Sequence, residues 1–571
     1  MKMNFKIESI IMKTILVQLL CMFVLLDATS CAKKTDGPKK KDDHNALSLR
    51  LILPNVAASG SMVQMQGRGF GSSQESVQVK FGDVTGEVLE LSNGILSVKV
   101  PELADGAKVD VAVVVGDNTS NIKSFRVRKI EEPIVIPKDT IEWIEDKNPN
   151  IAAIEHGIAS YDEQVVKYIR NGQQLLEVEL GKPSLVVVAE DEIGWGFYQF
   201  PSIRRSLSGQ LAIGWAMHRD EAASYGKPAL GINSAVSNDG GETWVTVSRG
   251  PTSGGTLLSN GDRINISTPA AVPLEDLDLP APLATLQDQS TYNRVFKIYD
   301  YAQLPLQLQG TYQSRIKNGT TSWVAERGSL VSPNLARYAD GNLFPVVWWG
   351  DIQEISDGVY TCRYPGFEIN QNGGIDPAGI ICYKSTDFGK TWVKQGSILY
   401  QPDLSLDPNG SKRKTLGWTE PAFAALQNGT FLSVLRTADG FGKSPMYLST
   451  SVDKGVSWST PKVFTGAGVK PMLLELDNGV AALVAGRPGV QLRFMLNDNV
   501  DDWSEPFEML PWVDNEVIST NDGLGSSCGY SQVLKMDENS FLMVYSDFKH
   551  TTPEGLVRKA IKVRKITVKR M

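Results

Sequence analysis

Cysteine and histidine are scarce: the 571 residues hold five of the first and four of the second. No C-x-x-C pair and no Cys/His cluster occurs, so nothing suggests a zinc site, and no other grouping suggests a metal or a cofactor. A disulfide-built scaffold is not needed either, because a chain this long buries an ample core unaided. Basic residues are in the minority. Lys and Arg number 57 against 64 Asp and Glu, for a formal net charge of −7 and a pI near 5.4. That balance argues against nucleic acid as a partner. It leaves an anionic sugar open, since a few arginines in one pocket can grip a carboxylate on an acidic protein. Long apolar runs are lacking too. Residues 15–26 are almost wholly apolar, but a spanning helix needs about 20 such residues. No glycine-rich phosphate loop is found.

What the N-terminus does have is a targeting pattern. The apolar run follows Lys13 and leads into Ala28-Thr29-Ser30-Cys31. Small residues before a cysteine, directly after an apolar run, resemble the bacterial lipoprotein signal. The resemblance implies that residues 1–30 are removed and that Cys31 is lipidated. The protein would then be exported and held at the cell envelope, on the outer membrane or cell surface, by a lipid anchor that does not span it. Translation can equally begin at Met12. Residues 31–45 are polar and Lys-rich and read as a flexible tether. Cys362 and Cys382 bracket 19 residues and could pair, which leaves Cys528 over; buried free thiols are an equal reading.

Residues 46–129 show short apolar alternations separated by turns, the pattern of a small β-sandwich. The run G-R-G-F-G at 67–71, then V-Q-V-K-F-G at 77–82 and V-K-V-P at 98–101, resembles the TIG (IPT) immunoglobulin-like domain. The resemblance implies a spacer, and no catalytic grouping is present. Residues 130–150, with three prolines and many charges, read as a linker.

Residues 151–571 look all-β and contain a repeated motif. S-N-D-G-G-E-T-W spans 237–244, S-T-D-F-G-K-T-W spans 385–392 and S-V-D-K-G-V-S-W spans 451–458. A fourth, eroded copy keeps Asp498 and Trp503. The pattern resembles the Asp box (BNR repeat) of sialidases and related propellers. Its roles are structural: Asp and hydroxyl side chains accept turn N–H groups, and Trp packs into the blade. The box aspartates stand 148, 66 and 45 residues apart, while a four-stranded blade repeats every ~40–50 residues. The long gap therefore hides at least one boxless blade, together with a Pro- and Gly-rich insertion at roughly 250–291. The expected fold is all-β, a six-bladed β-propeller preceded by a small immunoglobulin-like β-sandwich, with its site at the mouth of the central channel.

Three features of the C-terminal half are similar to sialidases in order and spacing. Trp418-Thr419-Glu420-Pro421, followed by Leu435-Arg436-Thr437, resembles a family segment in which the Glu activates the nucleophile and the Arg binds the substrate carboxylate. Gly486-Arg487-Pro488-Gly489 stands where the family places another carboxylate-binding arginine, with Arg493 as competitor. Cys528-Gly529-Tyr530-Ser531 stands where the family has its nucleophilic tyrosine. A phenol has a pKa near 10 and needs a base beside it, which Glu420 would supply. The N-terminal half departs from the family. Gln199 occupies the place of the arginine in an Arg-Ile-Pro segment, with Arg204 and Arg205 close by. The general acid is expected in the loop 217–226, with Asp220 first, then His218 and Glu221. Trp348 and Trp349 end an apolar strand and read as core.

These residues imply an exo-acting glycoside hydrolase removing a terminal acidic sugar, sialic acid or a related one. Tyr530, Glu420 and Asp220 would be catalytic; Arg436, Arg487, Gln199 and His218 would bind substrate. Two alternatives stand beside it. One is a propeller polysaccharide lyase or rhamnose-releasing hydrolase acting next to a uronate through His218. The other is a non-catalytic glycan-binding lipoprotein.

Overall fold

The computed structural model describes residues 46–127 and 157–571, apart from internal stretches at 54–55, 58, 93–94, 105, 171–172, 192, 288–293, 346, 348–349, 409, 413–416, 439–443 and 513–525. The expected leader, the tether with Cys31 and the linker lie outside the described residues, as do Trp348 and Trp349. The chain divides into two compact units between residues 134 and 135. Among the described residues the regular elements are strands and short 3-10 turns.

The first unit is a nine-stranded β-structure. Its strands alternate as a half-buried sheet requires: Val77, Val79 and Phe81 point inward from the strand Val77–Phe81, while Gln78 is exposed. The long strand Val84–Ser92 pairs first with Val77–Phe81 and then, from Glu87 on and through a bulge between Val88 and Glu90, with Ile95–Lys99, so it serves both layers. Met65, Phe81, Val98, Val113 and Phe125 fill the space between, with Phe125 edge-on to Phe81 at 5.2 Å. The Asn121 amide donates to the Leu49 carbonyl and accepts from the Leu49 N–H, both at 2.9 Å, and so ties down the first strand.

Among the described residues the second unit is a ring of six sheets. In chain order they run from Phe197–Arg205 to Val245–Val247, across 272–344, across 353–398, from Trp418–Ala425 to Lys462–Ala467, from Val469–Glu475 to Phe507–Glu508, and from Ser531–Lys535 to Val557–Arg570. The last sheet is completed by the early strands Gln173–Leu180 and Gln164–Arg170: Leu176 pairs with Arg570 and Leu180 with Ile566. This pairing of the two ends closes the ring. The core lies in wedges between consecutive sheets. Leu483 and Ala485 of the fifth pack on Val434 and Leu448 of the fourth, while Val484 and Leu492 pack on Phe541 and Met543 of the sixth. This is the propeller architecture. Each fully buried aliphatic in such a wedge contributes roughly 1.5–3 kcal/mol.

The long gap between the first two repeats does hold a sheet without the motif, at 272–344. The insertion expected at roughly 250–291 is placed differently, however. Ala284–Gln287 is a strand of that second sheet. The added structure consists of Thr256–Leu257, Arg263–Ile266, Thr311–Ile316 and Val324–Val331, which extend the third sheet by parallel pairing of Ser329 with Thr391. Proline and glycine content alone could not separate a blade strand from an extension.

The repeated motifs form closed hydrogen-bonded turns. Asp387 Oδ1 accepts from Ser385 Oγ at 2.8 Å and from the N–H groups of Lys390 at 3.1 Å and Thr391 at 2.8 Å. Asp453 accepts from Ser451 Oγ at 2.7 Å and from the Ser457 N–H at 2.9 Å. These bonds, led by that of the Ser457 hydroxyl, hold its carboxyl at about 2. The intact copies turn through positive φ at the two residues after the Asp (Gly240-Gly241, Phe388-Gly389, Lys454-Gly455), whereas the eroded copy does so at Asn497 and Asp498, with φ of 54° and 53°, as their short polar side chains permit. Trp503 still donates to the Val500 carbonyl at 2.9 Å. Cys362 and Cys382 face each other across adjacent strands as buried free thiols.

Candidate active site at one end of the ring

Four first strands meet around the axis: Trp418–Ala425, Val469–Glu475, Ser531–Lys535 and Phe197–Arg205 are successive neighbours. In three of these sheets the start of the first strand lies beside the end of the second. Thr419 pairs with Arg436, Val469 with Gly486, and Phe197 with Met217. Glu420, Arg436, Arg487, Gln199 and the loop bearing Asp220 therefore emerge at one end of the ring. Tyr530 immediately precedes the remaining strand, Ser531–Lys535.

Three of the four strands share a local irregularity. Pairing slips between Gln199 and Ser202, between Thr419 and Ala422, and between Val469 and Met472. Inside each slip stands a residue of positive φ followed by proline: Phe200 at 50°, Glu420 at 43° and Lys470 at 46°. A bulge re-aims a side chain and leaves ladder groups unpaired, and proline has no N–H to leave unpaired. Positive φ at a residue with a Cβ is strained backbone, and strain of this kind collects at functional sites.

The re-aimed Glu420 is 5% exposed. Its Oε1 accepts the Tyr530 hydroxyl. Its Oε2 accepts from Arg436 Nη1 at 2.7 Å and from the Lys470 backbone N–H at 3.0 Å. Arg436 Nη1 also lies 3.3 Å from the Tyr530 oxygen. Burial works to raise the Glu420 carboxyl, but the charges of Arg436 and Lys470 and the bonds from Tyr530 and Arg436 outweigh it and hold it below the ordinary range. The Tyr530 phenol is raised well above its usual value, first by desolvation and then by the Glu420 charge, with Arg436 and Arg487 opposing. The resting pair is thus a carboxylate and a neutral phenol. A carboxylate in this position can take the phenolic proton.

Arg487 is held by its own turn and by the thiol two residues before Tyr530. Its N–H donates to the Gly489 carbonyl at 2.8 Å and to Cys528 Sγ at 3.1 Å, and that thiol donates to Gly489 O at 2.6 Å. The guanidinium lies 4.9 Å from the Trp195 ring centroid. Trp195 Nε1 in turn donates to Asp220 Oδ2 at 3.1 Å. One indole therefore carries Arg487 on its face and Asp220 at its edge. The loop can pack this closely because residue 196 is glycine: at its φ of 98° a Cβ would stand 2.3 Å from the His218 carbonyl oxygen. The exposed Asp220 contributes to the field that raises Tyr530.

Gln199 is fully buried, and neither its Oε1 nor its Nε2 has a hydrogen-bond partner among the described residues. It lies against Gly529, where an added Cβ would come 3.6 Å from Gln199 Cγ. A polar group buried without a partner costs about 1–3 kcal/mol, so this amide is available to a ligand.

Not every expected residue joins the group. His218 sets Nδ1 2.9 Å from the adjacent Arg219 carbonyl. No hydrogen bond among the described residues joins it to Glu420, Arg436, Arg487 or Tyr530, because it sits where the strand Leu211–Met217 ends and the chain turns away. Arg493 donates to Ser504 O at 3.4 Å inside the fifth sheet. Arg204 packs within the first sheet, 3.3 Å from where a Cβ on Gly214 would stand. Exposed Arg205 turns to Met536. Neither replaces a guanidinium at position 199.

Five further residues belong to this end of the ring. Besides Trp195 and Lys470, Phe200 packs edge-on against Tyr530 at 4.7 Å. The Tyr364 phenol is raised well above its usual value by burial and then by the charges of Glu420 and Tyr530. The Asp351 carboxyl is raised by desolvation, with Lys470 opposing. Phe200 and Lys470 share a sequence signal, a residue before proline near the start of a strand, as does Glu420.

The IPT/TIG domain matches residues 48–127. No curated protein matches the chain. Among solved structures, one of unknown function from Dyadobacter fermentans is similar at 16% identity and a TM-score of 0.41, over 69% of this chain and 99% of that one. A Hadza microbial sialidase is similar at 12% and 0.34, over 84% and 76%. The NanB sialidase from Streptococcus pneumoniae is similar at 12% and 0.33, over 67% and 70%.

Proposed function

We propose that the second unit is a retaining exo-glycosidase that releases a terminal acidic sugar through a tyrosine nucleophile. The observation that carries this reading is the contact of Tyr530 with Glu420 and Arg436, residues 110 and 16 positions from the Glu. The Tyr530 oxygen bonds to the anomeric carbon while its proton passes to Glu420. The bond from that carbon to the aglycone oxygen breaks, and the leaving oxygen takes a proton from Asp220. Water then attacks the same carbon and gives a proton to Asp220, and Tyr530 departs and recovers its proton from Glu420. Two inversions give retention. A neutral nucleophile suits a substrate that carries its own carboxylate beside the reacting carbon. Arg436 and Arg487 would hold that carboxylate, and the Gln199 amide would add a neutral hydrogen bond in place of a third charge.

The substrate class is sialic acid or another terminal acidic sugar. Turnover of a panel of fluorogenic glycosides (an α-sialoside, a 3-deoxy-keto-sugar ketoside and a β-glucuronide) by wild type and by Tyr530→Phe tests it. Turnover of one or more, lost in the variant, is expected. Binding with no turnover on any would sink the hydrolase reading in favour of a glycan-binding protein. The proposal includes envelope anchoring through Cys31, supported by the small residues and apolar run before it. Incorporation of labelled palmitate into wild type but not into Cys31→Ser is the expected result, and labelling of both would refute it.

A further inference from the structure

The buried arginines of the second unit fall into two kinds. Arg564 is 1% exposed and donates to the backbone carbonyls of Ser160, Gly181 and Asp162. Arg315 is 2% exposed and is met by Glu326, Asp262 and the Phe388 carbonyl. Each of these has its charge or its donors answered. Arg337 and Arg363, 2% and 1% exposed, do not. Nη2 of Arg337 and both Nε and Nη1 of Arg363 have no hydrogen-bond partner among the described residues, and neither side chain pairs with a carboxylate there.

The two guanidinium groups come from facing sheets into one wedge. Arg337 lies on the strand Ala336–Asp340 of the second sheet and Arg363 on Gly358–Gly366 of the third. The strands approach where the Ala336 N–H donates to the Phe367 carbonyl at 3.0 Å. Alternation along the third-sheet strand sends Val359 into the cluster shared with the second sheet, and Tyr360 and Cys362 into the one shared with the fourth. Thr361 and Arg363 are in phase with Val359. The Thr361 hydroxyl, fully buried, has no partner either. The walls are aromatic and apolar: Tyr299, Tyr301, Leu335 and Tyr383. The Tyr301 ring stands 6.0 Å from the Arg337 guanidinium, and the Tyr383 hydroxyl, which donates to Ser332 at 3.0 Å, offers its oxygen to Arg363 as a neutral acceptor that brings no counter-charge.

An arginine keeps its proton in proteins, so the wedge holds two like charges out of water with no paired acid among the described residues. Burial, and then the charge of Arg363, lower Arg337 to about 9, which still leaves it protonated at neutral pH. Water could accept the unpaired hydrogen bonds but would leave both charges uncompensated. An anion supplies acceptor and counter-charge together. We propose that Arg337, Arg363 and the Thr361 hydroxyl form a closed structural site for one small monovalent anion of chloride size. The near-complete burial of both arginines excludes a sugar or a phosphate ester from the site. The anion would neutralise one charge and fasten the second sheet to the third, independently of the chemistry at Tyr530.

The test uses the full chain, dialysed free of halide into sodium gluconate, whose anion is too large for the site. Replacing gluconate by sodium bromide at constant pH and ionic strength is expected to raise Tm in a saturable way, by roughly 2–4 °C at a large excess over Kd. Arg337→Met with Arg363→Met is expected to remove that dependence. Because the double variant could fail to fold, crystals of the wild type grown in bromide supply the second readout. Anomalous density within hydrogen-bond distance of both guanidinium groups supports the site. Density without anomalous signal, with the same Tm in bromide as in gluconate, means water and overturns the proposal.

Discussion

The outer turns and the open end of the ring treat polar groups in opposite ways. At the turns each motif aspartate is saturated: Asp387 and Asp453 accept bonds from a Ser hydroxyl and from the turn backbone, and their carboxyls are pulled down as a result. At the open end Gln199 is buried with an unanswered amide, and Phe200, Glu420 and Lys470 hold positive φ inside slips of strand pairing, whereas the positive φ of Phe388 and Lys454 lies within the hydrogen-bonded turns. The turns are at a local minimum on their own. The end of the ring is held in a less favourable arrangement by the sheets around it, and a ligand can relieve part of that cost. The difference separates residues that keep the fold from residues proposed to act.

Substitutions at the two places should therefore move different observables. The largest effect is expected for Tyr530→Phe, which removes the nucleophilic oxygen. The rate of glycoside cleavage should fall by at least about 10³-fold, with Tm nearly unchanged. Glu420→Gln should cost about 10²–10⁴-fold in kcat/KM by removing the base, and its thermal stability carries a pH signature. A depressed carboxyl stabilises the fold above its unfolded value of 4.5, and that contribution is lost as pH falls through the folded value. The stability of wild type relative to Glu420→Gln should accordingly decline as pH drops below about 4.5, and scanning Tm of both proteins against pH measures it. A gap that widened in acid would contradict the assignment of Glu420 as the ionised partner. Gln199→Met is expected to raise KM about 5–20-fold by loss of one hydrogen bond to substrate, while leaving Tm the same or higher because a buried unanswered amide is gone. Asp387→Ala should do the reverse. The turn loses about 1–2 kcal/mol and Tm falls, with kcat and KM unaltered. If Asp387→Ala altered kinetics, or Gln199→Met altered only Tm, the division between the two regions would fail.

Much of this was legible in the sequence, and the reasons differ by residue. The repeated turns could be read because their bonds are local: Ser, Asp, Gly, Thr and Trp within eight positions suffice. Glu420, Arg436 and Tyr530 could be named from resemblance, although only the ring brings residues 110 positions apart into contact. Lys470 and Phe200 were missed because a bulge decides where they point, and alternation read off a sequence assumes there is none. Proline after each of them was the available sign. Trp195 was missed because its role lies in joining Arg487 to Asp220, a contact of three loops. His218 looked suitable on chemistry alone, yet its ring turns to its own neighbour's carbonyl. The buried pair Arg337 and Arg363 left no sequence signal, since each is an isolated arginine in an alternating strand.

The central claim is that the Tyr530 oxygen takes the sugar covalently. It is tested most directly by incubating the protein with a 3-fluorosialyl fluoride, which forms the glycosyl intermediate and releases it slowly, followed by intact mass and peptide mapping. The account predicts one added glycosyl group on the peptide containing Tyr530, and none on Tyr530→Phe. Turnover of an acidic glycoside that persists in Tyr530→Phe, or an adduct carried by another residue, would contradict it.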